Sequence, residues 1–444
     1  MKRTSTAAIV ALLLVAAATA AFAQPEVSEK KEIAIFSLGF YGWDIPRETL
    51  GTIDIDIQRV FLDLGRFTIF GMEKRFSTSD VDQFITILKQ MKESTFVLPE
   101  KYQFGEAFLT EADFNRLVGS FIIAVPVVTS YNSQYVDGKE WRTDIKTNVS
   151  FINVADGTMI GIANVETQGS SRETQYTSVK EAIDGIPMQL QYEIRKISQF
   201  QNVTRVLASG FGGVDIQLGS NMGIKKGDEY AVIVVDELEG FVDEREMGLI
   251  VIKDVGTTRS KGTILYSKAK VEKDTQLCEI PRLGADLAVY AHTYKYFSGG
   301  SGNDSSFVIG ARTEMTRGFY GFRPYAAIQA IADFEMWMPI NVIVGGQVNT
   351  FIRRIEIGAR AGVGGSTNAI IRLIEEQLSE SDDPWFTHYG VSAGAYLSYL
   401  LSRDFKVFIE AQGDYMLGIL DPTPGGLFGS YGGLQLGVGA TFKL

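Results

Sequence analysis

The segment GLQLGVGATFKL (433–444) places Leu434, Leu436, Val438, Ala440, Phe442 and Leu444 on one side of an extended chain. Gly433, Gln435, Gly437, Gly439, Thr441 and Lys443 fall on the other. Strict period-two alternation is the mark of a β-strand with one apolar face. Seven earlier segments repeat it: DLAVYAHTY (286–294), SFVIGARTEM (306–315), YAAIQAIADFEM (325–336), PINVIVGGQVN (339–349), RIEIGARAGVG (354–364), YGVSAGAYLSY (389–399) and FKVFIEAQGDYM (405–416). The apolar set continues through Ile355, Ile357, Val391, Leu397, Val407 and Ile409. Eight consecutive strands are therefore expected over residues 285–444.

The second face of these strands separates two architectures. A soluble β-sandwich fills its buried face with large side chains. Here that face carries Gly, Ser and Gln with Arg312, Glu314, Asp333, Glu335, Arg354, Glu356, Arg360, Lys406, Glu410 and Asp414. Apolar residues outward and polar ones inward, in strands of about 9 to 11 residues, describe a transmembrane β-barrel. Connections near 295–305, 365–387 and 417–431 are long, whereas those at Arg353 and at Ser402-Arg403-Asp404 are short, as at the two rims of such barrels. The short turn Trp337-Met338-Pro339 breaks that alternation. Trp337, Trp385, Tyr389, Tyr399 and Tyr415 stand near strand ends, where amphipathic rings suit lipid headgroups. Eight strands enclose room only for side chains, so the inward acids and bases are expected to pair there and leave no open pore. The segment resembles the small outer-membrane barrels of Gram-negative bacteria. Its alternating ending resembles their C-terminal assembly strand, with Leu444 in place of the usual final aromatic and Phe442 two residues before it.

Composition narrows the rest. The chain has 444 residues, 42 Lys and Arg against 53 Asp and Glu, and a net charge of -11, which offers nucleic acid no basic footprint. One cysteine, Cys278, and two histidines are too few for the Cys/His clusters of zinc, haem or iron-sulfur sites, and no cofactor is expected. Residues 285–444 hold 23 of the 46 glycines, so the chain changes character near Gly284. At the start, Lys2 and Arg3 precede the apolar run AAIVALLLVAAATAAF and the small-x-small site Ala21-Phe22-Ala23. This reads as an export signal over 1–23, and Gln24 after it offers no cysteine for lipid attachment.

Residues 24–200 read as mixed α/β. EIAIFSL is a short buried strand, and LGTIDIDIQRVFLDLG aligns Ile53, Ile57, Val60, Phe61 and Leu64 on one helical stripe before the strand FTIFGM. VDQFITILKQM and TEADFNRLVGS read as helices and FIIAVPVVTSY as a buried strand. TDIKTNVSFINVADGTMIGIANVETQGSS alternates on both sides of Asp156-Gly157, a hairpin signal. EAIDGIPMQLQYEIRKI reads as a closing helix. The opening strand, the helix ending in GRFTIFG and TDIKTNVSFINVADGTMIG are similar to a periplasmic domain. It is shared by the curli-secretion lipoprotein family CsgG, the amino-terminal domain of TolB and the flagellar protein FlgT. A secretion lipoprotein of that family carries a lipidated cysteine where this chain has Gln24.

Residues 201–284 read as short strands broken by Gly, with GIKKGD (223–228) a tight turn. A small SH3-like β-module fits, and the turn resembles one in the C-terminal module of FlgT. The acidic run Asp236, Glu237, Glu239, Asp243, Glu244 and Glu246 reads as an exposed hairpin tip, and Cys278 as a small buried residue.

The chain carries few residue patterns that point to chemistry. GFGG and GSNMGIKKGD lack P-loop and dinucleotide spacing and read as turn glycines. Asp54 with Asp56, and Asp80 with Asp82, have no third ligand and read as helix faces and caps. His292, on an inward face, and His388 are the candidates for a general base if the barrel were an enzyme. IIRLIEEQL (370–378) reads as a short loop helix. The fold class expected is α+β: an α/β periplasmic domain, a small β-module and an eight-stranded antiparallel transmembrane barrel. The expected role is a non-enzymatic envelope protein touching outer-membrane lipid and binding other envelope proteins through its periplasmic domains. A CsgG-like channel subunit acting as an oligomer and a barrel enzyme are the alternatives.

Overall fold

A computed structural model of the chain describes residues 27–40, 45–75, 86, 101–104, 107–110, 122–154, 156–238, 241–297, 305–332, 338–368, 386–419 and 429–444. The export signal, the helix expected at 81–91 except Thr86, which is helical, the helix expected at 110–120 except Thr110, which ends a strand, the loop helix at 370–378, and Asp80, Asp82, Glu239, Asp333, Glu335, Trp337 and Trp385 lie outside those residues.

The first unit opens with β1 (Lys31–Ser37) and β2 (Gly39–Phe40), then α1 (Arg47–Leu64), which buries Leu50, Ile53, Ile57, Val60, Phe61 and Leu64. β3 (Phe67–Arg75) returns parallel to β1. A separate hairpin pairs β4 (Lys101–Phe104) with β5 (Ala107–Thr110). The long antiparallel strands β6 (Ile122–Val136), β7 (Glu140–Asn153) and β8 (Met159–Ser171) complete a sheet ordered β3-β1-β6-β7-β8, with β2 beside β6. The β7–β8 turn carries Gly157 at φ 69°, and the Asp156 carboxylate accepts from the Thr158 amide. This is the mechanism that made Asp-Gly readable as a turn. Two helices follow where one was expected, α2 (Gln175–Asp184) and α3 (Ile186–Lys196). The chain breaks at Gly185 because Pro187, near the start of α3, cannot extend an existing helix. Phe61, Phe67, Phe151 and Phe200 close the core, with ring centroids 4.9–6.0 Å apart between neighbours.

The second unit is a closed six-stranded barrel: β9 (Val203–Gly210), β10 (Gly213–Ile216), β11 (Glu229–Leu238), β12 (Phe241–Val255), β13 (Ser260–Ser267) and β14 (Gln276–Ile280). Its core is Val206, Ile216, Tyr230, Val232, Ile250, Ile252 and Leu277, residues of its alternating strands.

The third unit is a closed eight-stranded antiparallel barrel: β15 (Ala285–Tyr296), β16 (Ser305–Met315), β17 (Phe322–Ala332), β18 (Pro339–Ile352), β19 (Ile355–Asn368), β20 (His388–Ser402), β21 (Phe405–Gly418) and β22 (Tyr431–Lys443). β15 pairs with β22 from Asp286↔Lys443 to Tyr296↔Gly433 and closes the ring. Strand β17 is described as far as Ala332 and β18 from Pro339; the rest of YAAIQAIADFEM and the anomalous turn expected at Trp337 fall on residues outside the described ones. The chain leaves β15, β17, β19 and β21 at one rim. The short connections, 316–321, 353–354 and 403–404, gather at the other with both ends of the barrel, facing the small barrel.

Candidate functional site: the junction of the three units

The large barrel is packed inside out relative to a soluble core. Leu434, Leu436, Val438, Phe442, Ile409, Val391, Leu397, Ile355 and Ile357 are exposed on its outer surface, and Val407 lies half-buried among them. Arg312, Glu314, Glu356, Arg360 and Glu410 are buried inside. Arg312 pairs with Glu314 at 3.0 Å and with Glu410 at 3.2 Å, and Arg360 reaches Glu410 at 3.2 Å. A second set joins Glu356 to Lys406 at 2.8 Å and to Arg323 at 3.3 Å. Asp414 accepts from Tyr294 at 2.7 Å and from Gln435 at 2.9 Å. Buried charges are costly unless they are paired, and these acids and bases pair with one another.

Arg354 does not belong to that interior. It stands in the two-residue β18–β19 turn, half-exposed, where Nη1 donates to the carbonyls of Leu400 at 2.9 Å and Leu401 at 3.2 Å. Its guanidinium lies 3.9 Å from the ring centroid of Tyr266 in the small barrel. The alternation that placed it inward with Glu356 stops at the turn, where Arg353 adopts φ 55° and re-aims the chain.

His292 Nδ1 and Gln435 Oε1 lie 3.0 Å apart, and its ring stacks on Tyr290 at 4.7 Å. His388 Nε2 faces the Gly429 carbonyl at 3.1 Å and its Nδ1 the Thr387 hydroxyl at 2.8 Å. The Asp54 carboxylate accepts from the Leu38 amide at 2.7 Å, and Asp56 pairs with Arg59 at 3.0 Å. Among the described residues no three His, Cys, Asp or Glu side chains converge as a metal site. Cys278 is half-buried and donates weakly to Gln201, and burial pushes its thiol up to about 11.

A buried polar constellation that the sequence reading passed over lies outside the large barrel. Glu279 on β14 takes a bidentate bond from Arg66, at 2.7 and 3.2 Å, and one from Arg195 Nε at 2.6 Å. It also accepts the Asn202 amide at 3.0 Å. Burial alone would raise this carboxyl, but the two guanidiniums and the amide hold it well below the usual carboxylate range. Arg195 comes from α3 and Arg66 from the turn after α1, so this cluster ties the first unit to the small barrel.

Asp228 extends the tie. It lies 3.5 Å from Arg195 and 2.9 Å from Arg317, which belongs to the β16–β17 turn of the large barrel. Arg317 in turn donates to Gln191 on α3 at 2.9 Å. Beside it, Arg282 donates to Glu229 at 3.0 Å and to the backbone carbonyls of Lys443 and Arg403, and pairs with Asp404 at 2.7 Å. Lys443 closes this group by pairing with Glu229. Arg195 also donates to the Arg282 carbonyl at 3.0 Å, linking both groups.

The tight turn GIKKGD is the mechanical centre. Gly223, at φ 72°, faces Leu64 and Gly65 so closely that a β-carbon would overlap the Leu64 carbonyl. Gly227, at φ 81°, meets the carbonyls of Thr316 and Phe319 in the same way. Only glycine permits both the conformation and the approach. Between them the Lys226 carbonyl accepts from the Gly318 amide at 2.7 Å. One turn of six residues thus touches the first unit at one end and the large barrel at the other. Its glycines were legible as turn formers; their partners were not. The signal available was Glu279 within QLCEIPRL, a lone acid in an apolar strand.

The sequence matches no family model and no curated protein. Among solved structures, the chain is similar to the N-terminal β-barrel domain of Pseudomonas aeruginosa OprF, at 13% identity and a TM-score of 0.24 over 36% of this chain and 98% of that one. Neisserial surface protein A gives 13% identity and a TM-score of 0.26, over 36% of this chain and 96% of its own. The PelC dodecamer from Paraburkholderia phytofirmans gives 10% identity and a TM-score of 0.23, over 38% and 92%.

Proposed function

We propose that this chain is a non-enzymatic outer-membrane protein whose eight-stranded barrel fixes two periplasmic domains at the inner face of the membrane, where they bind or scaffold other envelope proteins. The observation that carries the reading is the inverted packing of the barrel. A continuous apolar outer surface around a paired, charged interior is stable only where hydrocarbon replaces water outside. The short turns and both barrel ends face the small barrel, which supports placing residues 24–284 on the periplasmic side. The parallel β1–β3 pair around α1 and the long β6–β7–β8 ribbons support grouping the first unit with the CsgG, TolB and FlgT periplasmic domains. The junction is what an anchor requires, because buried ion pairs and close backbone contacts make the periplasmic units follow the barrel as one body.

Gel mobility of the protein from isolated outer membranes, with and without boiling, tests the anchor. A heat-dependent shift is expected, together with protection of residues 27–284 from protease until the outer membrane is opened. A soluble periplasmic protein with no shift overturns the reading. All eight ladder neighbours lie within one chain, so a barrel completed by single copies is expected in detergent. A ring-sized particle would favour a shared channel instead.

A further inference from the structure

Beside the junction, a cleft of about 1020 Å³ opens between the small barrel and the short-turn rim of the large one. One wall is the β9–β10 hairpin tip, Phe211 and Gly212, with Tyr266 behind it; the other is Ile352, Arg353, Arg354, Ile355 and Tyr399. Three observations converge on it. Phe211 is fully exposed on the tip Gly210-Phe211-Gly212-Gly213, whose position is fixed because the Ile264 amide donates to the Gly212 carbonyl at 3.0 Å. Ile352, Ile355 and Tyr399 are exposed and continuous with the apolar outer surface of the large barrel. Arg353 and Arg354 stand at the same rim, and both side-chain bonds of Arg354 use Nη1 and leave the rest of its fork for a ligand.

An exposed phenylalanine held at the height of a membrane rim, beside two guanidiniums, matches the layering of a phospholipid: acyl chain, interface, phosphodiester. We propose that this cleft holds an anionic phospholipid of the periplasmic leaflet. Its phosphodiester lies on Arg353 and Arg354, an acyl chain runs over Ile352, Ile355 and Tyr399, and Phe211 inserts beside it as a second membrane contact. The inference rests on the barrel spanning the membrane. Charge complementarity and continuity with the apolar belt select lipid over a protein partner as the occupant.

The test uses the full chain with Cys278→Ser, folded into phosphatidylcholine vesicles containing a minor fraction of phosphatidylglycerol. An environment-sensitive fluorophore is attached at Phe211→Cys or, separately, at Leu436→Cys, and the bromines are carried on the acyl chains of one lipid or the other. Heat-shifted gel mobility checks that each variant is folded. Quenching at both positions is expected, with brominated phosphatidylglycerol at least twofold more effective than brominated phosphatidylcholine at position 211. Arg353→Gln with Arg354→Gln should remove that preference. Quenching at 436 without quenching at 211 overturns the lipid site while leaving the barrel in the membrane. Equal quenching at 211 by both lipids overturns the role of the arginines. No quenching at 436 overturns the membrane reading on which the site depends.

Discussion

Arg195 and Glu279 meet at 2.6 Å with each side chain only 1% exposed, and neither belongs to the large barrel that gives the chain its outline. Replacing Glu279 by Gln keeps the shape but leaves Arg66 and Arg195 buried beside a neutral amide. Removing one partner of a buried pair costs about 3 to 5 kcal/mol, because the remaining charge has lost its compensation. The variant should therefore expose residues 27–280 to trypsin at a clearly lower urea concentration than the parent, while the boiled-versus-unboiled gel shift of the barrel is unchanged. Equal urea midpoints would show that the pair contributes nothing to the docking.

The same groups set a pH dependence. The Glu279 and Glu229 carboxyls are both held below their ordinary value of 4.5, Glu279 by Arg66 and Arg195 and Glu229 by Lys443 and Arg282, against burial that pushes the other way. A depressed folded-state value means that the stabilisation is fully present above the unfolded value and is lost as pH falls through the folded one. Protease resistance of the junction should stay level from pH 7 to about 5.5 and decline below about 4.5. Glu279→Gln should flatten part of that decline. Loss of resistance on raising the pH from 5.5 to 7 would contradict the sign.

Two glycines with the same backbone conformation separate conformation from contact. Gly138 has φ 66° and open space where a β-carbon would go, whereas Gly223 has φ 72° and the Leu64 carbonyl in the way. Gly138→Ala should cost only the left-handed conformation, about 1 to 2 kcal/mol. Gly223→Ala must in addition push α1 away from the small barrel, so it should loosen the junction more. Urea midpoints for proteolysis of the two variants compare them directly; equal losses would remove Gly223 from the joint.

What the residues disclosed and what they withheld follow from the range of each signal. Alternation is local, so the eight strands and the outward set from Ile355 to Phe442 could be read from neighbours two positions apart. The stripe Ile53, Ile57, Val60, Phe61 and Leu64 was legible for the same reason, at helical spacing. The rule fails where a strand ends. Arg354 shares the phase of Glu356 in sequence, yet the positive φ of Arg353 turns it out toward Tyr266. The ion pairs of Glu279 join residues 84 and 213 positions apart, a separation at which a single sequence carries no pattern. GIKKGD could be recognised as a turn from its glycines, but that both glycines are pressed against other units is a property of the assembled chain.

The barrel's two faces make opposite predictions for the same kind of change. Leu436 is 64% exposed on the outer surface, and Gln435, its neighbour in sequence, is buried beside Asp414 and His292. Leu436→Arg places a charge where hydrocarbon is expected, at about 2 to 4 kcal/mol near the bilayer midplane. Leu436→Ala should cost less, because it only shortens an apolar contact with lipid. If the barrel were instead a soluble sandwich with water outside, Leu436→Arg would be close to neutral and would improve solubility. Urea unfolding in lipid vesicles, read by loss of the heat-dependent gel shift, distinguishes them: Leu436→Arg should unfold well before Leu436→Ala, and the reverse order would place water rather than lipid on that face.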